Sequence, residues 1–200
     1  MDFSGVAREL GKHRFGVRVF STKEEALAYL DEAIDAATVG FGGSETLAQM
    51  GLYEALAAHN EVHWHHLAAP DEKDAERAAA AAAEVYVSSA NALARTGEIV
   101  QIDGVGNRVS SLFYGHSRLY YVIGRNKLAD DLEAAVWRAR NVAAPLNTRR
   151  LGRKTPCALG EQRCYDCLSP ERICRGLAVM YEPMPKTATE VILIDEDLGY

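Results

Sequence analysis

Thr38-Val39-Gly40-Phe41-Gly42-Gly43-Ser44-Glu45-Thr46 reads as a short buried strand, a tight glycine turn and the capped start of a helix. Leu47, Met50 and Leu56 continue that helix as its apolar residues. Upstream, Gly16 to Phe20 alternates weakly as a strand does, and Thr22-Lys23-Glu24-Glu25 opens a helix as a capping box. Leu27, Leu30 and Ile34 form the apolar stripe of that helix. Downstream, Glu61 to Leu67 reads as a strand. Asp71 to Ala83, with its run of alanines, reads as a slim helix, and Val85 to Ser88 as another strand. Ile99 to Ile102 and Leu119 to Ile123 are further apolar runs, each ending close to a glycine and polar residues. Asp130 to Val142 predicts a helix, with acids at its start, Arg138 and Arg140 near its end, and Pro145 as its stop. Val191 to Ile194 closes the series as a strand. Repeated alternation of this kind predicts an α/β fold, a mainly parallel sheet flanked by helices, because parallel strands need a crossover between them.

The expected organisation is an N-terminal leader over 1–21 and one domain over 22–200, with 147–175 as a small cysteine-bearing excursion. At 200 residues, 48% hydrophobic and 25% charged, the chain can bury one sizeable core. Its formal net charge of −6 argues against nucleic-acid binding, which draws on surplus Lys and Arg, but leaves room for a local basic pocket. Met1-Asp2-Phe3-Ser4 lacks the tracts of a signal peptide, and no apolar run approaches the roughly 18 residues a spanning helix needs. The expectation is a cytoplasmic protein with no membrane partner.

Polar loops recur where the expected strands end. Glycines at Gly42 and Gly43 permit close backbone approach, and Ser44 and Thr46 open a helix whose free N–H groups attract an anion. The third glycine of a dinucleotide fingerprint falls at Glu45, and no Gly-Lys-Ser/Thr follows, so neither nicotinamide nor flavin has a clear binding motif here. Asn91 follows a second strand, Asn107 and Arg108 a third, and Arg125, Asn126 and Lys127 a fourth. In open α/β sheets ligands bind beyond the carboxyl ends of strands, so these residues are candidates for holding a carboxylate or phosphate. His63-Trp64-His65-His66 would alternate across a strand, which favours a structural or surface role over a metal site.

The four cysteines fall together as Cys157-x6-Cys164-x2-Cys167-x6-Cys174. Clustered soft thiolates suit zinc or an iron–sulfur cluster, with free thiols or disulfides as the alternatives, and the spacing matches neither common ferredoxin pattern. Ser169-Pro170-Glu171 fits the start of a short helix, which would place Cys174 in its opening turn and favour a thiolate there.

Taken together, Gly42-Gly43-Ser44-Glu45-Thr46, Ala90-Asn91-Ala92, Gly104-Val105-Gly106-Asn107-Arg108, Gly124-Arg125-Asn126-Lys127, Ala143-Ala144-Pro145-Leu146-Asn147, the Pro156-Cys157 to Cys174 cluster and Asp197-Leu198-Gly199-Tyr200 resemble the LUD-domain, or lactate utilization, family. The resemblance covers the chain from about Thr22 onward. It implies a fold similar to the sugar-phosphate isomerase and coenzyme A transferase superfamily. It also implies a part in oxidising L-lactate to pyruvate, as an accessory or redox subunit beside iron–sulfur partner proteins, with a homo-oligomer as a further option. Under that reading Arg108 or Arg125 would clamp the substrate carboxylate. Some enzymes of the wider superfamily use a glutamate nucleophile, and Glu45 sits near the glycine loop, but the resemblance assigns no catalytic residue. The competing expectations are an isomerase or acyl-transfer enzyme acting on a phosphorylated or coenzyme A-linked substrate, and a non-catalytic scaffold.

Overall fold

Strand residues that alternate between two apolar faces build the centre of the molecule, a computed structural model that describes residues 3–200. In chain order the elements begin with α1 (Ser4–Lys12), β1 (Gly16–Phe20), α2 (Lys23–Ala33), β2 (Thr38–Phe41), α3 (Glu45–Met50) and α4 (Leu52–Leu56). They continue with β3 (Glu61–His63), α5 (Lys73–Ala82), β4 (Val85–Ser88), β5 (Ala92–Ala94), β6 (Ile99–Asp103), α6 (Asn107–Phe113) and β7 (Arg118–Gly124). The chain closes with β8 (Leu128–Ala129), α7 (Leu132–Arg138), α8 (Ala144–Arg150), α9 (Pro156–Leu159), β9 (Gly176–Met180) and β10 (Ala188–Ile194).

Six strands form a parallel sheet in the order β1-β10-β7-β4-β2-β3. Val122, Ile192, Ile194, Val85 and Val87 point to the face covered by α2, α3 and α4, where they meet Leu30, Ile34, Leu47 and Leu56. Leu119, Tyr121, Ile123, Val191, Leu193 and Tyr86 point to the opposite face and meet Val6, Leu10, Ala80 and Leu112. The expected α/β architecture is therefore present, and each central strand is buried on both faces, as a parallel sheet requires. Segment 4–20 is woven into it: α1 places Val6 and Leu10 in the core, and β1 pairs with β10 along its whole length.

A second, four-stranded sheet in the order β8-β5-β6-β9 lies beyond the main one. Its β5 and β6 pair antiparallel, and Gly97 (φ 110°) turns the chain between them. Ile99 points to the main-sheet core, while Val100 and Ile102 pack with Ala135, Ala139 and Ala144 of the long helical segment.

Three local expectations change. Pro145 does not stop its helix: α7 continues through a π-helical stretch, Ala139–Ala143, into α8. Within that stretch the Ala144 N–H donates to the Ala139 carbonyl, five residues back, so the widened turn accommodates a residue that lacks an N–H. The irregular excursion accordingly begins after Arg150. The strand expected over Glu61 to Leu67 ends at His63, because Trp64 buries its ring 5.4 Å from Phe41 and a turn closes from Leu67 N–H to the Trp64 carbonyl. No helix forms at Ser169-Pro170-Glu171; Arg172 N–H donates to the Ser169 carbonyl in a single turn, so Cys174 receives no helix-end field.

Candidate functional site

The loops after β2, β4, β6 and β7 meet at the carboxyl edge of the main sheet. Ser44 Oγ accepts the Leu47 N–H at 3.3 Å and starts α3. Gly42 is required by crowding: a Cβ there would lie 2.5 Å from Ser88 Oγ and 3.1 Å from Arg108 Cδ. Arg108, on α6, ties two loops to β6. Its Nη1 donates to the Gly43 carbonyl at 3.0 Å, and its Nη2 donates to Asn91 Oδ1 at 3.3 Å and to the Ile102 carbonyl at 2.6 Å. Asp103 shapes the next loop by accepting the Val105 and Val109 N–H groups. Burial opposes its ionisation, but those N–H groups, that of Gly106 and the Arg108 charge prevail and lower its pKa.

These loops, α8 and the cysteine-bearing segment enclose a cleft of about 510 Å³. Lys73, Arg77, Arg108, Arg150, Arg153, Arg172 and Arg175 line it, against Asp103 and Glu171 as the only carboxylates in its wall. Asn91, Asn107, His65 and His66 add polar groups. Burial, then the nearby cations, pushes His65 down to about 4, and burial, then His65 and Arg150, does the same to His66, so both rings are neutral at pH 7. A chain with net charge −6 thus concentrates positive charge in one concavity. A smaller cavity of about 40 Å³ adjoins it, sharing Gly43, Asn91, Arg108, Asn147 and Arg150 and adding Ser44, Glu45, Ser89, Lys127 and Tyr200.

The expected ligand set divides. Gly43, Ser44, Asn91, Asn107, Arg108 and Lys127 line the paired cavities. Gly42, Thr46, Arg125 and Asn126 do not. Gly42 packs on Ser88, and Thr46 is fully buried, donating to the Leu198 carbonyl at 3.2 Å. Arg125 lies at the surface, its Nε 2.9 Å from Asp197 and its Nη1 3.3 Å from Asp195. Asn126 accepts the Leu198 N–H and donates to the Gly199 carbonyl. Arg125 and Asn126 therefore hold the C-terminal tail, and the Arg125 fork expected as a carboxylate clamp is engaged by Asp195 and Asp197, away from both cavities. Arg108 remains in the site, but with three donors committed to loop oxygens it braces the wall rather than offering a free fork.

The cysteine lobe stands apart in chemistry. All four thiols are partly buried and free of disulfides. Cys164 Sγ accepts from Arg140 Nη2 at 3.6 Å, Cys174 Sγ from Arg172 Nη2 at 3.5 Å, and Cys157 Sγ lies 3.2 Å from Thr155 Oγ1. Among the described residues no three of His, Cys, Asp or Glu gather as a ligand group. Arg172 links the lobe to the cleft, since it lines the cavity while donating to the Cys167 carbonyl and to Cys174.

Several lining residues carried no clear mark in the sequence. Lys73 and Arg77 sit on the helix expected over Asp71 to Ala83, where charge ordinarily reads as a solvated face. Arg150 enters only because the helix continues past Pro145. His65 and His66 share the cleft because the chain turns after Trp64 instead of alternating as a strand. Among the described residues no helix is long and apolar enough to cross a membrane.

Comparison with known proteins agrees with this architecture. The crystal structure of a DUF162 family protein from Deinococcus radiodurans superposes with a TM-score of 0.55 at 12% identity, covering 95% of this chain and 94% of that one, a likeness of fold alone. No curated protein matches the chain. The LUD domain family model matches residues 4–194, and the chain belongs to the LUD-domain family.

Proposed function

We propose that this protein binds a small anionic metabolite, a carboxylate or a phosphate, in the cleft at the carboxyl edge of its sheet, as an accessory or redox component in oxidation of L-lactate to pyruvate. The excess of cations over carboxylates in the cleft wall carries this reading. Family membership supports the link to lactate. Lys73 and Arg153 are the apt contacts for ligand charge, since neither forms an ion pair or side-chain hydrogen bond among the described residues. Asn91 and Asn107 supply neutral groups that can orient a hydroxyl or carbonyl.

Calorimetric titration with L-lactate, pyruvate and phosphate at low salt tests the reading. Binding should weaken about fivefold for each of Lys73→Ala and Arg153→Ala, and further as salt is raised. Arg125→Ala should leave it unchanged, because that side chain serves the tail. Binding that ignores both cleft variants and salt overturns the proposal. Metal and sulfide analysis of the anaerobically purified protein assays the cysteine lobe in the same preparation. Iron with sulfide there would make that lobe the redox centre; zinc would make it a structural brace for a partner protein.

A further inference from the structure

Lys127 is the one lysine placed inside the carboxyl-edge site and away from bulk water. It is 3% exposed, yet it lines the small cavity beside the cleft. Its Nζ lies 2.8 Å from Thr46 Oγ1 and 2.8 Å from Ser89 Oγ. The direction of those bonds follows from proton counting. Ser89 Oγ donates its proton to the Val122 carbonyl at 2.5 Å, and Thr46 Oγ1 donates its own to the Leu198 carbonyl at 3.2 Å. Each hydroxyl has a single proton, so each accepts from Nζ.

A neutral amine has two N–H groups, and these two acceptors satisfy both. The remaining position on Nζ, an N–H in the ammonium and the lone pair in the amine, has no partner among the described residues. The charges around it favour the amine. Arg108 and Arg138 approach from α6 and α7, and burial first, then these two cations, holds the Lys127 pKa well below its ordinary value. The carboxylate sharing the small cavity, Glu45, is engaged by Arg150 at 3.1 Å, and Tyr200 completes that wall. A buried lysine beside other cations, with the cavity's carboxylate paired to Arg150 and not to Nζ, is one environment that activates an amine as a nucleophile.

We propose that Lys127 is a nucleophile that condenses with the carbonyl carbon of a small 2-oxo acid whose carboxylate is held by the cationic cleft. This rests on the anion-binding reading above and adds to it a reactive atom and a substrate class. The nitrogen lone pair forms the C–N bond, giving a carbinolamine. Loss of the carbonyl oxygen as water, carrying both amine hydrogens, then leaves an imine. No electrons are exchanged, and no co-reactant is needed. The small cavity, about 40 Å³, admits the carbonyl end of such a ligand, while the adjoining 510 Å³ cleft takes its charged end.

The test is reductive trapping of the whole protein with pyruvate and cyanoborohydride at pH 6.5, followed by peptide mapping, with calorimetric pyruvate binding measured in parallel. Lys12, Lys23, Lys154 and Lys186, which lie outside both cavities, serve as internal controls. The expected result is an N-carboxyethyl adduct on Lys127 formed at least tenfold faster than on any control lysine. In Lys127→Met that adduct disappears. Pyruvate binding without preferential labelling of Lys127 overturns the nucleophile and leaves the anion-binding reading intact. Absence of pyruvate binding overturns the nucleophile, and the anion-binding reading falls with it only if L-lactate and phosphate also fail to bind. If Lys127→Met fails to fold, the peptide map of the unaltered protein still decides the matter.

Discussion

Arg108 and Arg125 carry the same guanidinium and end in opposite environments. Arg108 is drawn inward by the Gly43 and Ile102 carbonyls, whereas Arg125 is held outward by Asp195 and Asp197. Which polar atoms lie within reach decides the role of a charged side chain, and sequence spacing does not reveal that. His59 gives the same lesson a pH dependence. Its ring bridges Asp31 and Asp35, each at 2.9 Å, and those two hydrogen bonds raise its pKa. A raised folded value means stability that is fully present below the unfolded pKa of about 6.5 and is lost as pH rises through the folded value. His59→Gln should therefore lower the urea midpoint most at pH 5 to 6, with the gap to the unaltered protein closing toward pH 8. A gap that widens with pH would contradict the bridge.

Helix α2 starts where the sequence says it starts. Thr22 Oγ1 accepts the Glu25 N–H at 3.3 Å, while Glu25 Oε2 accepts the N–H groups of Ser21 and Thr22, so the capping box read from four residues is present. Thr22→Ala should cost about 1 kcal/mol, read as a shifted urea midpoint at unchanged slope, and Thr22→Ser should recover most of it. Caps are legible because donor and acceptor lie within one turn of each other. Helix ends were less legible. Pro145 signals a stop by local rules, yet the π-helical stretch before it carries the helix onward, because Ala139 and Ala144 pack against the small sheet. That packing partner, with β5, β8 and β9, could not be read from local pattern. These strands are short, and the pairing of β6 with β9 joins residues far apart in the chain.

Across the whole molecule, the tail after β10 closes the carboxyl edge of the sheet. Leu198 is 3% exposed within the core that contains Phe41, Leu47 and Ile194, its N–H donates to Asn126, and its carbonyl accepts from Thr46. Leu198→Ala should lower stability by about 3 kcal/mol, a core-sized loss measurable by urea unfolding, whereas a loose tail would show almost none. This closure also buries Lys127, since Gly199 approaches so closely that a Cβ there would lie 3.2 Å from Nζ. The amino-acid pattern alone was enough for the parallel α/β core, because strand alternation, glycine turns and caps act over a few residues: β2 and β4 have the bounds their sequences indicate, and β7 and β10 extend only a little beyond them. It also marked the loops that line the site, since polar residues after buried strands gather at one edge of a parallel sheet. The pattern could not tell which of those polar groups face the ligand space. Arg125 turned to the tail, Arg150 and Lys73 came to the cleft wall, and Lys127 was buried beside the small cavity, because charged side chains go where burial and neighbours that only chain folding brings together allow.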